Sequence, residues 1–287
     1  MSSRDTFRSE PRVLLSGLAY VESPRWHDDR LWFAHWGAGE IVAVDLDGVS
    51  EVVGHGPPGL GWSLGWLPDG RLLVTGDRLM RREPDGSMVQ HADLSALSGD
   101  WNEIVVDGRG NIYVNGRCDF DPGEGDPPGI IALVTPDGSV RQVAGAIAFP
   151  NGMVVTPDNS TLIVAESFAG RLTAFDVADD GGLSNRRVWA DLAGGVPDGI
   201  CLDADGAIWY ADVPNKRCVR VRQGGQVLET IELDRSPFAC MLGGPDGQTL
   251  HILAAEWRGI EKLDEALAAR TGQVLTVRAP APRAGWP

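Results

Sequence analysis

The stretch LDADGAIWYA, residues 202–211, consists of two short β-rich runs joined by a polar turn, which is the pattern of a β-hairpin. The chain of 287 residues contains this pattern six times. The other copies are WHDDRLWFA (26–34), LPDGRLLVTG (67–76), VDGRGNIYVNG (106–116), VTPDNSTLIVA (155–165) and GGPDGQTLHILA (243–254). Their turn residues lie 40 to 49 residues apart, at Asp29, Asp69, Arg109, Asp158, Asp205 and Asp246. A period of this length is typical of a repeat architecture.

A second series of hairpins alternates with the first. It occupies 41–53, 80–92, 130–144, 172–190, 219–233 and, as a longer version, 259–277. Two hairpins per period make four strands, so the sequence predicts an all-β fold, a six-bladed β-propeller with four antiparallel strands per blade. Only EKLDEALAAR (261–270) looks helical, and RVLL (12–15) is a candidate outer strand for the last blade. We expect a single domain over 1–287, with 1–11 as a flexible N-terminal arm.

Composition narrows the classes of function. A formal net charge of −15 argues against nucleic acid as a partner, because phosphate binding needs clustered Lys and Arg. The N-terminal residues lack the apolar stretch of a signal peptide, and no run reaches membrane-spanning length. The four cysteines have no zinc-type spacing. We therefore expect a cytoplasmic enzyme or binding protein, and the sequence indicates no oligomeric state.

The tripeptide Pro-Asp-Gly occurs five times, and one copy differs from the rest in its position. The copies that begin at Pro68, Pro84, Pro136 and Pro245 form hairpin tips, whereas Asp198 of the fifth copy lies seven residues before the turn of its own hairpin. The same step of seven, taken back from each turn, reaches Glu22, Trp62, Asn102, Asn151, Asp198 and Ala239. These positions are equivalent in the repeat, so we expect them to ring one mouth of the central channel.

Four of the six ring positions carry side-chain oxygens: Glu22, Asn102, Asn151 and Asp198. Converging carboxylates and amides are poorly solvated unless a cation lies among them. Oxygen ligands without a thiolate favour Ca²⁺, Mg²⁺ or Mn²⁺. A cation with open positions polarises a carbonyl and lowers the pKa of bound water. Two alternatives remain: plain turns at 150–152 and 197–199, or a purely structural ion.

Further residues are expected around this mouth. The far ends of the partner strands bring His35, Trp36, Asp77, Asn115 to Arg117, Glu166, Asp212, Glu256 and Trp257 to the same end. Glu166 and Asp212 are candidates for orienting the ligands, with strand-end turn residues as the alternative. We expect substrate contacts from the aromatic residues Trp62, Trp101 and Phe168. The segment 117–129 is either a lid over the mouth or a solvated loop.

Four motifs together resemble the SMP-30/gluconolactonase/LRE family. They are ESPRW (22–26), WNEIVVDGRGNIYVNG (101–116), FPNGMVVTPDNSTLIVAES (149–167) and VPDGICLDADGAIWYAD (196–212). The resemblance runs from about residue 12 to about residue 260 and implies a six-bladed propeller with one catalytic divalent metal. It further implies that Glu22, Asn151 and Asp198 are metal ligands, and that Asp198 doubles as general base. By the same resemblance Asn102 contacts the substrate or a metal-bound water.

The chain departs from the family pattern at two places. Asp100 stands where the family's sugar-lactone hydrolases carry Arg, and the usual Asn-Asp-Gly is Asn102-Glu103-Ile104. We therefore expect a divalent-metal-dependent hydrolase that opens a lactone to the hydroxy acid. A sugar lactone stays a candidate substrate, and the more apolar mouth would suit a less hydroxylated lactone or ester. Calcium is the first expectation for the metal, with Mn²⁺, Zn²⁺ or Fe²⁺ as alternatives. Alternative functions are an organophosphate hydrolase, a non-catalytic propeller with a structural ion, and a lyase or isomerase.

Overall fold

A computed structural model describes residues 10–76, 78–97, 100–117 and 128–287, and its strands form six antiparallel sheets. Each sheet has four strands, so the prediction of a six-bladed β-propeller is confirmed. In five of the sheets the four strands are consecutive in the chain. Of the predicted N-terminal arm, residues 1–9 lie outside the described residues.

The strands are given by blade, with the innermost strand first. The first blade has β2 (Val21–His27), β3 (Arg30–His35), β4 (Glu40–Val44) and β5 (Ser50–His55), and the second has β6 (Leu64–Trp66), β7 (Leu72–Val74), β8 (Leu79–Arg82) and β9 (Met88–Ala92). The third has β10 (Asp100–Val106), β11 (Ile112–Arg117), β12 (Gly129–Val134) and β13 (Val140–Ile147), and the fourth has β14 (Pro150–Val155), β15 (Thr161–Glu166), β16 (Arg171–Val177) and β17 (Leu183–Asp191). The fifth has β18 (Pro197–Leu202), β19 (Ile208–Asp212), β20 (Arg217–Val221) and β21 (Val227–Glu232), and the sixth has β22 (Ser236–Gly243), β23 (Thr249–Ala255), β24 (Gly272–Arg278) and β1 (Arg12–Leu18).

The sixth blade joins the two ends of the chain. β1 pairs with β24, so RVLL does supply the outer strand of the last blade. The prediction of a longer hairpin over 259–277 is wrong, because only β24 forms there and a 3-10 turn (Ile260–Lys262) and helix α1 (Leu263–Ala269) precede it. The helical pattern in 261–270 explains the difference. Within the described residues no helix is long and apolar enough to cross a bilayer.

The innermost strands contact one another around the channel, as β14 contacts β18 and β18 contacts β22. Glycines permit this approach. A Cβ at Gly152 would lie 2.5 Å from the Ile200 nitrogen, and one at Gly199 would lie 2.6 Å from the Ala239 Cβ. The glycine of the fifth Pro-Asp-Gly is therefore required by close packing inside β18. By contrast, the glycine of a hairpin-tip copy such as Gly70 has a left-handed φ of 83°.

Apolar clusters fill the space between neighbouring blades. The cluster at the closing seam joins Val21 of the first blade, Trp209 of the fifth and Leu253 of the sixth, all fully buried. Three cysteines, Cys201, Cys218 and Cys240, are buried as free thiols near this seam, and Cys118 lies outside the described residues. This packing makes the ring of blades a fixed frame for the channel.

Candidate active site

The four oxygen-bearing ring residues line one cavity at the start of the innermost strands. The cavity has a volume of about 250 Å³ and is lined by Glu22, Asn102, Asn151 and Asp198 together with Tyr20, Trp36, Leu60, Gly61, Gly116, Phe149 and Pro150. The predicted ring therefore brings its polar members together. The other two ring positions, Trp62 and Ala239, do not line the cavity.

A β-bulge places each of these four side chains. In the fifth blade Pro197 pairs with Asp212 and Ile200 pairs with Tyr210, so three steps on β18 match two on β19. The same irregularity lies at the equivalent point of β10 and β14, and in β2 it begins one residue later, directly after Glu22. Bulges bend a strand and redirect its side chains, and they recur next to active sites. The repeated bulge is the local reason why the four polar residues point to a common space.

Burial and like charge dominate the electrostatics of the cavity. Glu22 is 6% exposed, and Asp198 is partly buried. Burial, and after it the neighbouring carboxylates, holds the pKa of both groups above their ordinary values. The backbone N–H of Ser23 donates to Glu22 Oε2 at 2.7 Å, and the Asn151 side chain donates to Asp198. Ionising both carboxyl groups in this cavity is therefore costly unless a cation lies among them.

A buried ion pair lies directly beneath the cavity. Arg25 and Glu103 form a 3.0 Å salt bridge between side chains that are 7% and 10% exposed. Ser63 Oγ donates to Glu103 Oε1 at 2.9 Å, and Arg25 also donates to the Ile104 carbonyl at 2.8 Å. Sequence reasoning noted Glu103 only as a departure and gave Arg25 no role. Arginine inside the ESPRW motif on an innermost strand was the available signal.

The charges of the channel suit a divalent cation. Ionised Glu22, Asp198 and Glu103 with Arg25 would sum to −2, which a doubly charged ion neutralises. Carboxylate and carboxamide oxygens are the donors that hard cations take. No group of three or more His, Cys, Asp or Glu with metal-binding geometry occurs among the described residues, so the candidate set depends on its amides. By donor chemistry the residues present fit such an ion.

The aromatic residues predicted to contact substrate fall into two groups. Trp62 and Trp101 are 1% and 2% exposed and pack inside or between blades, away from the lining of the cavity. The Trp62 carbonyl does accept a 2.7 Å hydrogen bond from the indole of Trp36, which lines the cavity. Phe168 is 56% exposed and stacks on Phe149 with 4.4 Å between ring centroids, at the rim of the mouth.

Buried residues at the ends of second strands hold the segments that lead into the site. Glu166 Oε2 accepts from the backbone N–H of Ala148 at 2.9 Å, and Asp212 Oδ1 accepts from that of Val196 at 3.0 Å. His35 Nε2 accepts from the Ala19 N–H at 2.9 Å in the first blade. These contacts fix backbone next to the candidate ligands, and none of them is made to a ligand side chain.

Some residues predicted at the mouth lie outside the part of the chain that the structure describes. Asp77 and residues 118–127 are outside the described residues, and so are the side chains of Asp100 and Arg117. Arg117 ends β11 and Gly129 begins β12. The expected lid and the departure at Asp100 therefore stay predictions.

A second, larger cavity lies at the opposite end of the channel. Its volume is about 640 Å³, and its lining includes Trp26, Trp66, Arg283 and Trp286 near the hairpin tips. None of the four oxygen-bearing ring residues lines it. The chemistry predicted here belongs to the smaller cavity, because the paired carboxylates and amides occur there.

A family model for the SMP-30/gluconolactonase/LRE-like region matches residues 20–256. The chain belongs to this family. Regucalcin of Danio rerio is 30% identical over 160 residues, 54% of each chain, and pentonolactonase XacC of Haloferax volcanii is 25% identical over 254 residues, 85% of this chain and 84% of that protein. Diisopropyl-fluorophosphatase of Loligo vulgaris is 28% identical over 202 residues, 61% of this chain and 63% of that protein. The match to regucalcin thus spans about half of that relative's length.

Solved structures of other proteins share the fold. A luciferin-regenerating enzyme superposes with a TM-score of 0.79 at 19% identity, covering 96% of this chain and 98% of that one. A calcium-binding protein, regucalcin, from Agrobacterium tumefaciens gives 0.76 at 21% identity, covering 97% and 95%. At these identities the likeness shows the fold alone.

Proposed function

We propose that this protein is a divalent-metal-dependent hydrolase that opens a lactone to the hydroxy acid. The observation that carries the proposal is the convergence of Glu22, Asn102, Asn151 and Asp198 on one cavity. Similarity to a pentonolactonase over most of the chain supports the reaction class. A calcium-binding regucalcin of the same fold supports a metal as cofactor.

Glu22, Asn151 and Asp198 would hold the ion through their side-chain oxygens. A divalent cation bound there would supply a Lewis acid, and calcium fits the all-oxygen donor set first, with Mn²⁺, Zn²⁺ or Fe²⁺ as alternatives. The Asn151 side chain already donates to Asp198 and fixes the direction of its carboxylate. The salt bridge with Arg25 pairs the Glu103 carboxylate, and Glu103 does not line the cavity in which the substrate would bind.

Asp198 and Asn102 perform the remaining chemistry. Asp198 accepts the proton of the attacking water, and burial, which holds the pKa of this carboxyl above its ordinary value, makes it a stronger base than a solvated carboxylate. The Asn102 amide donates a hydrogen bond to the oxygen on which negative charge develops. The ring C–O bond then breaks, and the proton returns to the leaving alkoxide to give the hydroxy acid.

The Asp198→Asn variant tests this mechanism. We expect it to lose at least about a thousandfold in kcat on every lactone of a panel while the far-ultraviolet circular dichroism stays that of a β-propeller. The matched control is Asp137→Asn, in a Pro-Asp-Gly copy at an exposed hairpin tip, which should behave as wild type. Chelation should abolish turnover, and each metal restored in turn identifies the cofactor. Wild-type activity in Asp198→Asn would refute the mechanism.

A second candidate reaction uses the same cavity. Similarity to diisopropyl-fluorophosphatase favours an organophosphate hydrolase as the alternative. Lactone and phosphotriester panels assayed side by side on the metal-loaded protein decide between the two reactions. Turnover of phosphotriesters but not of lactones would overturn the lactonase proposal and leave the assignment of the active site unchanged.

A further inference from the structure

Two aromatic residues of the cavity have the same unusual backbone conformation. Tyr20 and Phe149 both line the cavity, and each lies two residues before a candidate ligand, Glu22 or Asn151. Their φ angles are 50° and 58°, in the left-handed region that bulky residues rarely adopt. Such strain persists only where the surroundings impose it, and it clusters at ligand clamps.

In front of each aromatic residue, the backbone N–H of the preceding residue donates a hydrogen bond to a buried side chain. Ala19 donates its N–H to His35 Nε2, and Ala148 donates its N–H to Glu166 Oε2, both at 2.9 Å. The acceptors are 2% and 0% exposed. The carbonyl groups of Ala19 and Ala148 accept hydrogen bonds from the backbone N–H groups of Gly37 and Phe168, at 2.9 Å and 3.2 Å. Each segment is thus fixed on both sides, one residue before the strained position.

The acceptors are themselves fixed. Glu166 forms salt bridges with Arg171 and Arg186, both at 3.0 Å, and accepts from the Thr173 hydroxyl. His35 Nδ1 lies 3.1 Å from Glu40 Oε2, so its Nε2 is free to accept when Nδ1 carries the proton. A side chain with so many partners can impose a strained conformation on the backbone that it binds.

The two rings stand on opposite sides of the mouth. They belong to the segments that lead into the first and the fourth of six blades. Tyr20 packs on Phe238, Trp36 and Trp257, with centroids 4.5, 5.7 and 5.8 Å away, and Phe149 stacks on Phe168. Each ring is therefore the inner face of a larger aromatic wall.

The described lining of the cavity carries no Lys or Arg that could bind substrate hydroxyls. Its polar side-chain groups are those of the four ring residues, the Tyr20 hydroxyl and the indole N–H of Trp36, which already donates to the Trp62 carbonyl. Between aromatic walls the part of the substrate that does not react contacts mainly carbon. Such a space favours an alkyl or aryl substituent over a polyhydroxylated one, because unpaired hydroxyls lose their hydration there.

We infer that Tyr20 and Phe149 determine substrate specificity by packing against an apolar substituent on the lactone ring, and these two contacts are called the aromatic grip. His35 and Glu166 are positioning residues for the two aromatic side chains. This inference rests on the proposed lactone hydrolase. It names the substrate class as lactones with an apolar side chain. The aromatic grip contributes to binding, and the proton transfers remain with the residues of the metal site.

The test compares γ-nonalactone with D-glucono-δ-lactone on the calcium-loaded protein. We expect Tyr20→Ala and Phe149→Ala to raise KM for γ-nonalactone about tenfold or more with little change in kcat, which lowers its kcat/KM relative to gluconolactone. Tyr20→Phe and Phe149→Tyr should restore the preference. Calcium affinity measured by calorimetry should stay at the wild-type value.

Variants of a positioning residue complete the test. Glu166→Ala should lower the same preference, and Glu166→Gln, which keeps an acceptor oxygen, should retain more of it. Asn185→Ala is the matched control, since Asn185 also has a left-handed φ, 51°, but lies on the exposed outer strand β17. An unchanged ratio in the alanine variants, or an equal loss on both lactones, would overturn the inference.

The inference can be judged even if the wild type hydrolyses no lactone. Calorimetric titration of the calcium-loaded wild type with γ-nonalactone then replaces kinetics. If the wild type binds γ-nonalactone and Phe149→Ala does not, the aromatic grip is supported while the hydrolase proposal fails. Absence of binding by the wild type, or equal binding by the variant, refutes the grip as well.

Discussion

Arg25 shows how one residue supports the charged channel. Its guanidinium is the partner of buried Glu103, which lies close enough to Glu22 to raise the pKa of that carboxyl further after burial. We expect Arg25→Met to lose about 3–5 kcal/mol of unfolding free energy in urea, because it leaves a buried carboxylate unpaired. Adding Glu103→Gln should recover part of the loss. Arg30→Met, which removes an exposed pair with Glu51, should cost about 1 kcal/mol or less, and an equal loss in both would contradict this account.

At the level of the element, packing between the innermost strands sets the positions of the candidate metal ligands. A Cβ at Gly152 would lie within 3.0 Å of backbone atoms of Asp198 and Ile200, so β14 and β18 would have to move apart. We expect Gly152→Ala to lose about 1–3 kcal/mol of stability and to weaken calcium binding, since Asn151 and Asp198 shift. Thermal unfolding and calorimetry measure the two effects. Gly54→Ala is the control, because its Cβ would make only an ordinary 3.6 Å contact, and unchanged calcium affinity in Gly152→Ala would refute the coupling.

At the scale of the whole molecule, the seam that closes the ring of blades contains a buried histidine. His251 of the sixth blade stacks on Trp26 of the first, and burial lowers its pKa to about 4. Between pH 6.5 and 4 the unfolded chain binds a proton that the folded one does not, so stability falls as the pH falls through this window. The loss from this group is about 3 kcal/mol. His251→Gln should show a shallower decline in urea unfolding from pH 7 to pH 4, and an identical decline would exclude His251 as the cause.

Local pattern predicted most of this architecture, and long-range contacts account for what it missed. The repeated hairpins predict the six blades and a register that brings Glu22, Asn102, Asn151 and Asp198 together. The longer hairpin over 259–277 was wrong because helical turns occupy residues 260–269, and the fourth strand comes from the other end of the chain, as RVLL indicated. The pair of Arg25 and Glu103 is separated by 78 residues, and no periodicity relates them. Neither Tyr20 nor Phe149 was predicted as a substrate contact, because a left-handed aromatic residue has no sequence signature.

The pairing of β1 with β24 has a consequence for synthesis on the ribosome. Residues 12–18 emerge before the other strands of the propeller, and their partner at 272–278 emerges after all of those strands. Until then the nascent chain carries an N-terminal strand whose hydrogen-bonding edge has no partner within its own blade. Such an edge is a template for pairing with other chains. Pairing with β24 covers this edge of β1 only after residues 272–278 have been made, and it joins segments far apart in the sequence, a class of contact that forms late in folding.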